Sequence, residues 1–332
     1  MFPAAGLVQG SDGNFYGTTT AGGTGGGGAV FKLTSTGALT TLHSFNTLAF
    51  VNDGLTPNAS LVVGNDGNFY GTTTYGGAYD YGTVFKITPS GTLTILYSFD
   101  NTDGAYPDAA LVKGSDGNFY GTTTHGGGAG SQGTVFKITP TGALTILHSF
   151  NGTTNGLLPE GGLVLASNGS FYGTTVNGGL NSYGTAYTIT PSGTFTSLYS
   201  FTAADGRYPY ASLIQDSSGD FYGTTISGGA SGNGTVFKLQ VLPGPPAPTN
   251  LTVSVRKKKI TLNWTASPGA TSYNLYEGTS PGGESATPIQ TGITGTSTGV
   301  QGSRGKTYYF KVAAVNAEGT SPLSSEASTA GN

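Results

Sequence analysis

The sequence predicts an all-β chain: a β-propeller of about five blades, each of four antiparallel strands with the last lacking one, followed by a smaller second β domain. Three observations carry this. The dipeptide Tyr-Gly recurs at Tyr16, Tyr70, Tyr120, Tyr172 and Tyr222, in steps of 54, 50, 52 and 50 residues. Apolar residues alternate with polar ones inside each repeat, as at Leu93, Ile95, Tyr97 and Phe99, which is the period of a strand with one buried face. Composition agrees, since 58 glycines and only 9% charged residues suit short strands joined by many turns.

Each repeat runs through four strands, named A to D after their order. In the second repeat these are the short apolar run of "SLVVG" (60–64), then "NFYGTTT", "GTVFKITPSG" (82–91) and "TLTILYSFD" (92–100). Asp66-Gly67 predicts a tight A–B hairpin, because Gly accepts positive φ and Asp bonds its own backbone. Pro89-Ser90-Gly91 predicts an equally tight C–D turn. The other two connections are long, "TYGGAYDYG" (74–82) and "DNTDGAYPDA" (100–109). Antiparallel order puts both at one end of the sheet, and that long-loop end is where a ligand site is expected.

The fifth repeat stops after strand C, at "GTVFKLQVL" (234–242). At the other end, "FPAAG" matches the "PNAS" and "PDAA" of later repeats, so a truncated or misplaced start is expected. That start has no basic n-region and no apolar core, and is read as neither signal peptide nor anchor. The predicted domains are therefore a propeller at 1–242, a stiff Pro-rich linker "PGPPAPTN" at 243–250 and a second domain at 251–332.

Composition excludes several function classes. Residues 1–241 hold 6 Lys/Arg against 12 Asp/Glu and residues 242–332 hold 7 against 4, so neither part is basic enough to predict nucleic-acid binding. Zero cysteines exclude disulfides, thiolate metal sites and cysteine nucleophiles. No apolar run approaches the roughly 18 residues of a membrane span, so insertion is not expected. A monomer with no cofactor is expected.

Two resemblances add to this. The opening "PPAPTNLTV", Trp264 in "TLNWTAS", "ATSYNLYEG" and "GKTYYFKVAAVNAEGTSPLS" resemble a fibronectin type III domain, an immunoglobulin-like sandwich. The resemblance implies a tyrosine corner at Tyr308, although the usual Leu-x-Pro before it is missing from "VQGSRGKTYYF". Phrases such as "GTVFKITPSGTLTILYSFDNTDGAYPDAALVKGSDGNFYGTT", covering about residues 5 to 241, are similar to the GloVer-type or "choice-of-anchor" tandem repeats of bacterial surface proteins. That likeness implies an extracellular or cell-surface location and no assigned catalytic residue.

The chemical candidates are few. Asp12, Asp66 and Asp116 become Asn168 and Ser218 in the last two repeats, which suits a turn and would ruin an acid. "FYGTTT" is read as a packed strand, its glycine marking close backbone approach. Asp100, Asp103 and Asp108 are weak calcium candidates lacking the Asp-x-Asp-x-Asp-Gly spacing. His43 and His148 hold the position of Tyr97 and Tyr199 and are read as packing residues with a polar tip. His125 shares its loop position with Tyr75 and Asn177, a variation that suits ligand contact. Glu160 is the one glutamate of the repeats, and a partner such as Asp103 would be needed for glycosidase chemistry. The basic run Arg256 to Lys259 is read as a solvated hairpin turn. The expected function is non-catalytic recognition of a glycan or a surface protein. Its candidate ligand residues are Tyr75, Tyr79, Tyr81, Tyr106, His125, Tyr183, Tyr208 and Tyr210. A purely structural spacer, or a polysaccharide-degrading enzyme, is the alternative.

Overall fold

The computed structural model describes residues 2–47, 53–128, 130, 132–240, 245–285, 287–303, 305–316 and 319–330. Residues 242–244, at the expected domain boundary and the start of the expected linker, lie outside the described residues. The chain divides into two compact units, Met1–Gln240 and Val241–Asn332. All regular structure among the described residues is β, and no helix there is long and apolar enough to cross a membrane.

The first unit is a series of antiparallel sheets, one per repeat and each in simple A-B-C-D order. The first holds β1 (Val8–Gln9), β2 (Phe15–Thr19), β3 (Gly26–Leu33) and β4 (Leu39–Asn46). The second holds β5 (Val62–Val63), β6 (Phe69–Thr73), β7 (Thr83–Ile87) and β8 (Leu93–Ser98). The third holds β9 (Val112–Lys113), β10 (Phe119–Thr123), β11 (Thr134–Ile138) and β12 (Leu144–Ser149). The fourth holds β13 (Val164–Leu165), β14 (Phe171–Thr175), β15 (Thr185–Ile189) and β16 (Phe195–Ser200). The fifth has three strands, β17 (Ile214–Gln215), β18 (Phe221–Thr224) and β19 (Val236–Leu239), because the sequence leaves the repeat pattern after strand C.

The core lies between sheets. Tyr70, Val84 and Phe99 of the second repeat form one buried cluster with Leu111, Phe119, Phe136 and Ile138 of the third, and the neighbouring pairs repeat the arrangement. At every seam the strand-B tyrosine stacks on the next repeat's strand-B phenylalanine: Tyr16–Phe69, Tyr70–Phe119, Tyr120–Phe171 and Tyr172–Phe221, with ring centroids 3.9, 4.0, 4.0 and 4.3 Å apart. Burying each such ring removes apolar area worth about 1.5–3 kcal/mol from water, and the stack adds about 0.5–1.5 kcal/mol. The tyrosine hydroxyl is satisfied by the turn below it, as Tyr70 donates to Asp66 at 2.9 Å. Burial pushes the Asp66 carboxyl up, but the hydrogen bonds from Asn68 and Tyr70 outweigh it and leave it below its ordinary value. Gly71 is tight for a different reason from the one its strand position suggests. A Cβ there would meet the side chains of Phe85 at 2.7 Å and Leu61 at 2.8 Å, so the glycine makes room for rings and not for backbone.

A second device ties each seam at the long-loop end. Thr56, Tyr106, Leu158 and Tyr208 each precede a proline and each adopt positive φ, 57° to 60°. Both features are unfavourable for a side-chain-bearing residue, at roughly 1–3 kcal/mol for a sparsely populated φ. Two backbone bonds hold the geometry. Tyr106 donates its N–H to the Tyr81 carbonyl of the preceding repeat at 2.9 Å and accepts from Thr124 N–H of its own at 3.1 Å. The other three residues do the same with Gly27 and Thr74, Gln132 and Val176, and Tyr183 and Ile226. The proline then presses on a glycine at the start of the previous strand C: a Cβ on Gly82 would lie 2.6 Å from Pro107 and 2.5 Å from the Thr73 carbonyl.

A third contact closes strand D over the D–A loop. Tyr97 donates to Asp103 and Tyr199 to Asp205, while His43 Nε2 donates to Asp53 at 2.9 Å. At His148 the partner is Asn155, whose amide donates to Nε2 at 3.0 Å. His148 also stacks on Phe195 at 3.8 Å, and burial pushes its pKa down to about 4. In the first repeat Phe2 and Leu7 are exposed, as are Ile214 and Val236 of the fifth.

The second unit holds β20 (Thr249–Arg256), β21 (Lys259–Thr265), β22 (Ser272–Gly278), β23 (Gln290–Ile293), β24 (Ser297–Gln301), β25 (Thr307–Asn316), β26 (Gly319–Thr320) and β27 (Ala327–Ala330). One sheet runs β20-β21-β24; the other runs β23-β22-β25-β26, with β27 also paired to β25. Ile260, Leu262 and Trp264 of the first sheet and Tyr273, Leu275, Tyr308, Phe310 and Val312 of the second share one core. The Tyr308 hydroxyl accepts the Ser303 N–H at 3.0 Å, a corner bond of the kind expected there.

Gly82→Ala is expected to destabilise the repeats by about 2–4 kcal/mol, combining a forced positive φ with backbone and proline clashes. Gly37→Ala, at φ 86° but facing open space, should cost only about 1 kcal/mol. Urea midpoints of the two variants would separate them. His148 binds its proton less readily folded than unfolded, so its contribution to stability is present above about pH 6.5 and is lost as pH falls towards 4. His148→Tyr, the repeat's own alternative, should therefore flatten the decline in Tm between pH 7 and pH 5 by about 2–4 °C.

Candidate functional site

The seams bring the long-loop residues together in pairs of repeats. Tyr106 sits at the centre of one cluster, because its positive φ turns it between two B–C loops. Its ring centroid lies 5.3 Å from Tyr75, 5.9 Å from Tyr81 and 5.6 Å from His125. Tyr75 is 46% exposed, His125 is also exposed, and Tyr81 and Tyr106 are half-buried beneath them. The His125 ring is fixed by a 2.9 Å hydrogen bond between Nδ1 and Thr124 Oγ1. Burial, with the Tyr81 and Tyr75 hydroxyls nearby, pushes the Tyr106 phenol up. Tyr79 stands apart, at 61% exposure and with no ring partner among the described residues.

The second cluster lies at the seam of the fourth and fifth repeats. Tyr183 and Tyr208 meet edge to face at 6.2 Å, and the Arg207 guanidinium lies over the Tyr183 ring at 4.3 Å. Tyr210 is 44% exposed, and the Glu160 charge pushes its phenol up. Six of the eight candidate residues thus gather at two of the four seams, while Tyr79 stands apart and Tyr210 neighbours Glu160. At the other two, the positive-φ positions carry Thr56 and Leu158, and among the described residues no such cluster surrounds them.

Asp100 and Asp103 are neighbours, the Asp100 N–H donating to Asp103 at 3.2 Å, but Asp108 does not join them. Asp100 accepts from Thr102 N–H at 2.9 Å and Oγ1 at 2.6 Å. Asp103 is held by Tyr97, and Asp108 accepts from Asn58 Nδ2 at 3.1 Å and Thr74 Oγ1 at 2.5 Å. Among the described residues no group of three or more His, Asp or Glu side chains is arranged to hold a metal ion. The basic run ends in a hairpin, with Lys257 and Lys258 exposed at positive φ between β20 and β21.

Two features escaped sequence reasoning. Asn58, Asp108, Glu160 and Tyr210 all follow the seam proline and neighbour one another across seams. Burial pushes the Glu160 carboxyl up and the Asp108 charge adds to this. Asp103, the partner considered for Glu160 from sequence, is instead tied to Tyr97. The common offset from proline was the legible signal. The other is Arg207, a charge at a position where Leu55, Ala105 and Leu157 are apolar.

A glutamate whose carboxyl is raised in the folded state destabilises as it ionises, so stability falls as pH rises through and above the ordinary value of 4.5. Glu160→Gln should raise Tm by about 1–2 °C at pH 7 and have no effect near pH 4. Calorimetry at the two pH values checks this.

No curated protein matches the chain. Among solved structures, an Fn3-like protein from Clostridium thermocellum is 36% identical over 26% of this chain and 92% of its own, with a TM-score of 0.24. The extracellular domain of BT3049 from B. thetaiotaomicron aligns with 98% of this chain at 12% identity and a TM-score of 0.47, and the alignment spans only 43% of that chain. That of BT4673 from the same organism gives 98% and 43% coverage, 12% identity and a TM-score of 0.43. The model of one repeat family matches residues 1–166 and 127–287, a span that contains all five Tyr-Gly units and their seams. The chain belongs to the Gloeobacter/Verrucomicrobia repeat family.

Proposed function

We propose that the five sheets are blades of a β-propeller, that residues 249–330 form a fibronectin type III sandwich, and that the chain is a non-catalytic extracellular module recognising carbohydrate through its long-loop end. The propeller reading is supported by the A-B-C-D order of each sheet and by cores lying between successive sheets. The sandwich reading is supported by two sheets sharing one core around Trp264 and by the corner bond of Tyr308.

One observation carries the recognition reading: Tyr75 and His125 present exposed rings around Tyr106, on a scaffold held by backbone hydrogen bonds. Sugars bury the apolar faces of their rings on such aromatic surfaces, and rigid side chains lose little entropy in doing so. A glycan array with the whole chain tests this, followed by titration of the best ligand. Tyr75→Ala is expected to weaken binding about tenfold with Tm unchanged, because this ring is exposed and outside the seam cores. Absence of binding to every glycan would favour a protein-binding surface or a spacer. The raised Glu160 carboxyl beside Asp108 supports a second reading, a polysaccharide hydrolase. Hydrolysis abolished by Glu160→Gln would establish it in place of the first.

A further inference from the structure

We propose that the seam between the fourth and fifth repeats binds an acidic sugar, with the Arg207 guanidinium receiving its singly charged anionic group; this rests on the carbohydrate reading above. Arg207 stands where the repeat has no structural use for a charge. Its equivalents Leu55, Ala105 and Leu157 form the same backbone bridge, to Tyr75, His125 and Asn177, as Arg207 forms to Ser227. The Leu55, Ala105 and Leu157 side chains are buried or half-buried. An arginine at that position gives up apolar packing and places a guanidinium against the fold.

Among the described residues Arg207 has no ion pair, and its Nε is buried without a hydrogen-bond partner. A buried, unpaired N–H of a charged group costs more than an ordinary lost hydrogen bond. The nearest acid in sequence, Asp205, is occupied by Tyr199 and by the Thr202 N–H and hydroxyl. The Tyr183 ring covers one side of the guanidinium. Its planar fork suits the two oxygens of a carboxylate.

Space is provided at the same place. An open depression of about 610 Å³ is lined by Arg207 and Ser227 together with Ala203, Ala204, Ala230 and glycines, within the roughly 300–1,000 Å³ range of small-ligand sites. Two of the small residues stand where another repeat has larger polar ones: Ala203 and Ala204 replace Asn101 and Thr102 of the third repeat. Cation and cavity coincide at this seam. Tyr208 beside the guanidinium offers a ring for the pyranose.

The test is calorimetric titration of the full chain with a hexagalacturonate, a sulfated galactan oligosaccharide and a neutral galactan oligosaccharide. Arg207→Leu installs the residue used at this position in the second and fourth repeats, so folding is retained and Tm is the check. Binding of either anionic sugar is expected to weaken at least tenfold in Arg207→Leu, to recover in part in Arg207→Lys and to fall with added salt. Which anionic sugar binds identifies carboxylate or sulfate as the source of the charge. Anionic binding unchanged in Arg207→Leu overturns the proposal. Binding of the neutral sugar alone also overturns it and leaves the carbohydrate reading standing. No binding of any of the three here, or of any glycan on the array, removes both.

Discussion

The seam between repeats is the contact on which the rest depends. A strand A of two residues and a three- or four-stranded sheet have too little surface to bury a core of their own. Each sheet becomes stable only because its strand-B tyrosine and strand-C residues are covered by the leucine and phenylalanines of the next. The proline that presses on a glycine of the previous repeat ties the other end of the same interface. Stacked rings at one end and a locked loop at the other fix the two B–C loops against each other. Any arrangement of side chains at the long-loop end inherits that precision.

Much of this was legible because the repeats serve as internal controls. Replacement of Asp66 by Asn168 and Ser218 at equivalent positions identified a turn, and the Asn68 and Ser170 N–H groups make the expected Asx bonds, whereas in the fifth repeat Asp216 and not Ser218 accepts them. The interchange of His43, Tyr97, His148 and Tyr199 was readable as packing with a polar tip. Its partner was harder to see. Asp53, Asp103, Asn155 and Asp205 lie in the D–A loop, yet each bonds back to strand D. The asparagine that accompanies His148 changes the direction of the hydrogen bond, which a residue-type reading does not register.

The positive φ of Tyr106 and its equivalents was not legible. A residue before proline is normally extended, and local rules gave no reason to depart from that. Only the pair of backbone bonds to two different repeats makes the strained conformation the lower one. Tyr81, Tyr106 and His125 were recognised singly as loop residues, but their convergence depends on that turn. Tyr79, equally suggestive by composition, is left outside the cluster.

Because the aromatic clusters draw on two repeats each, recognition belongs to the junction and not to the repeat. The hinge of this is the residue before the seam proline, which takes its donor contact from one repeat and its acceptor contact from the next. Duplicating or deleting one whole repeat would conserve every structural contact while exchanging the partners on both of its sides. A protein built this way can generate new combinations of loop residues by recombination alone, with no new core to be evolved and no point mutation in the scaffold.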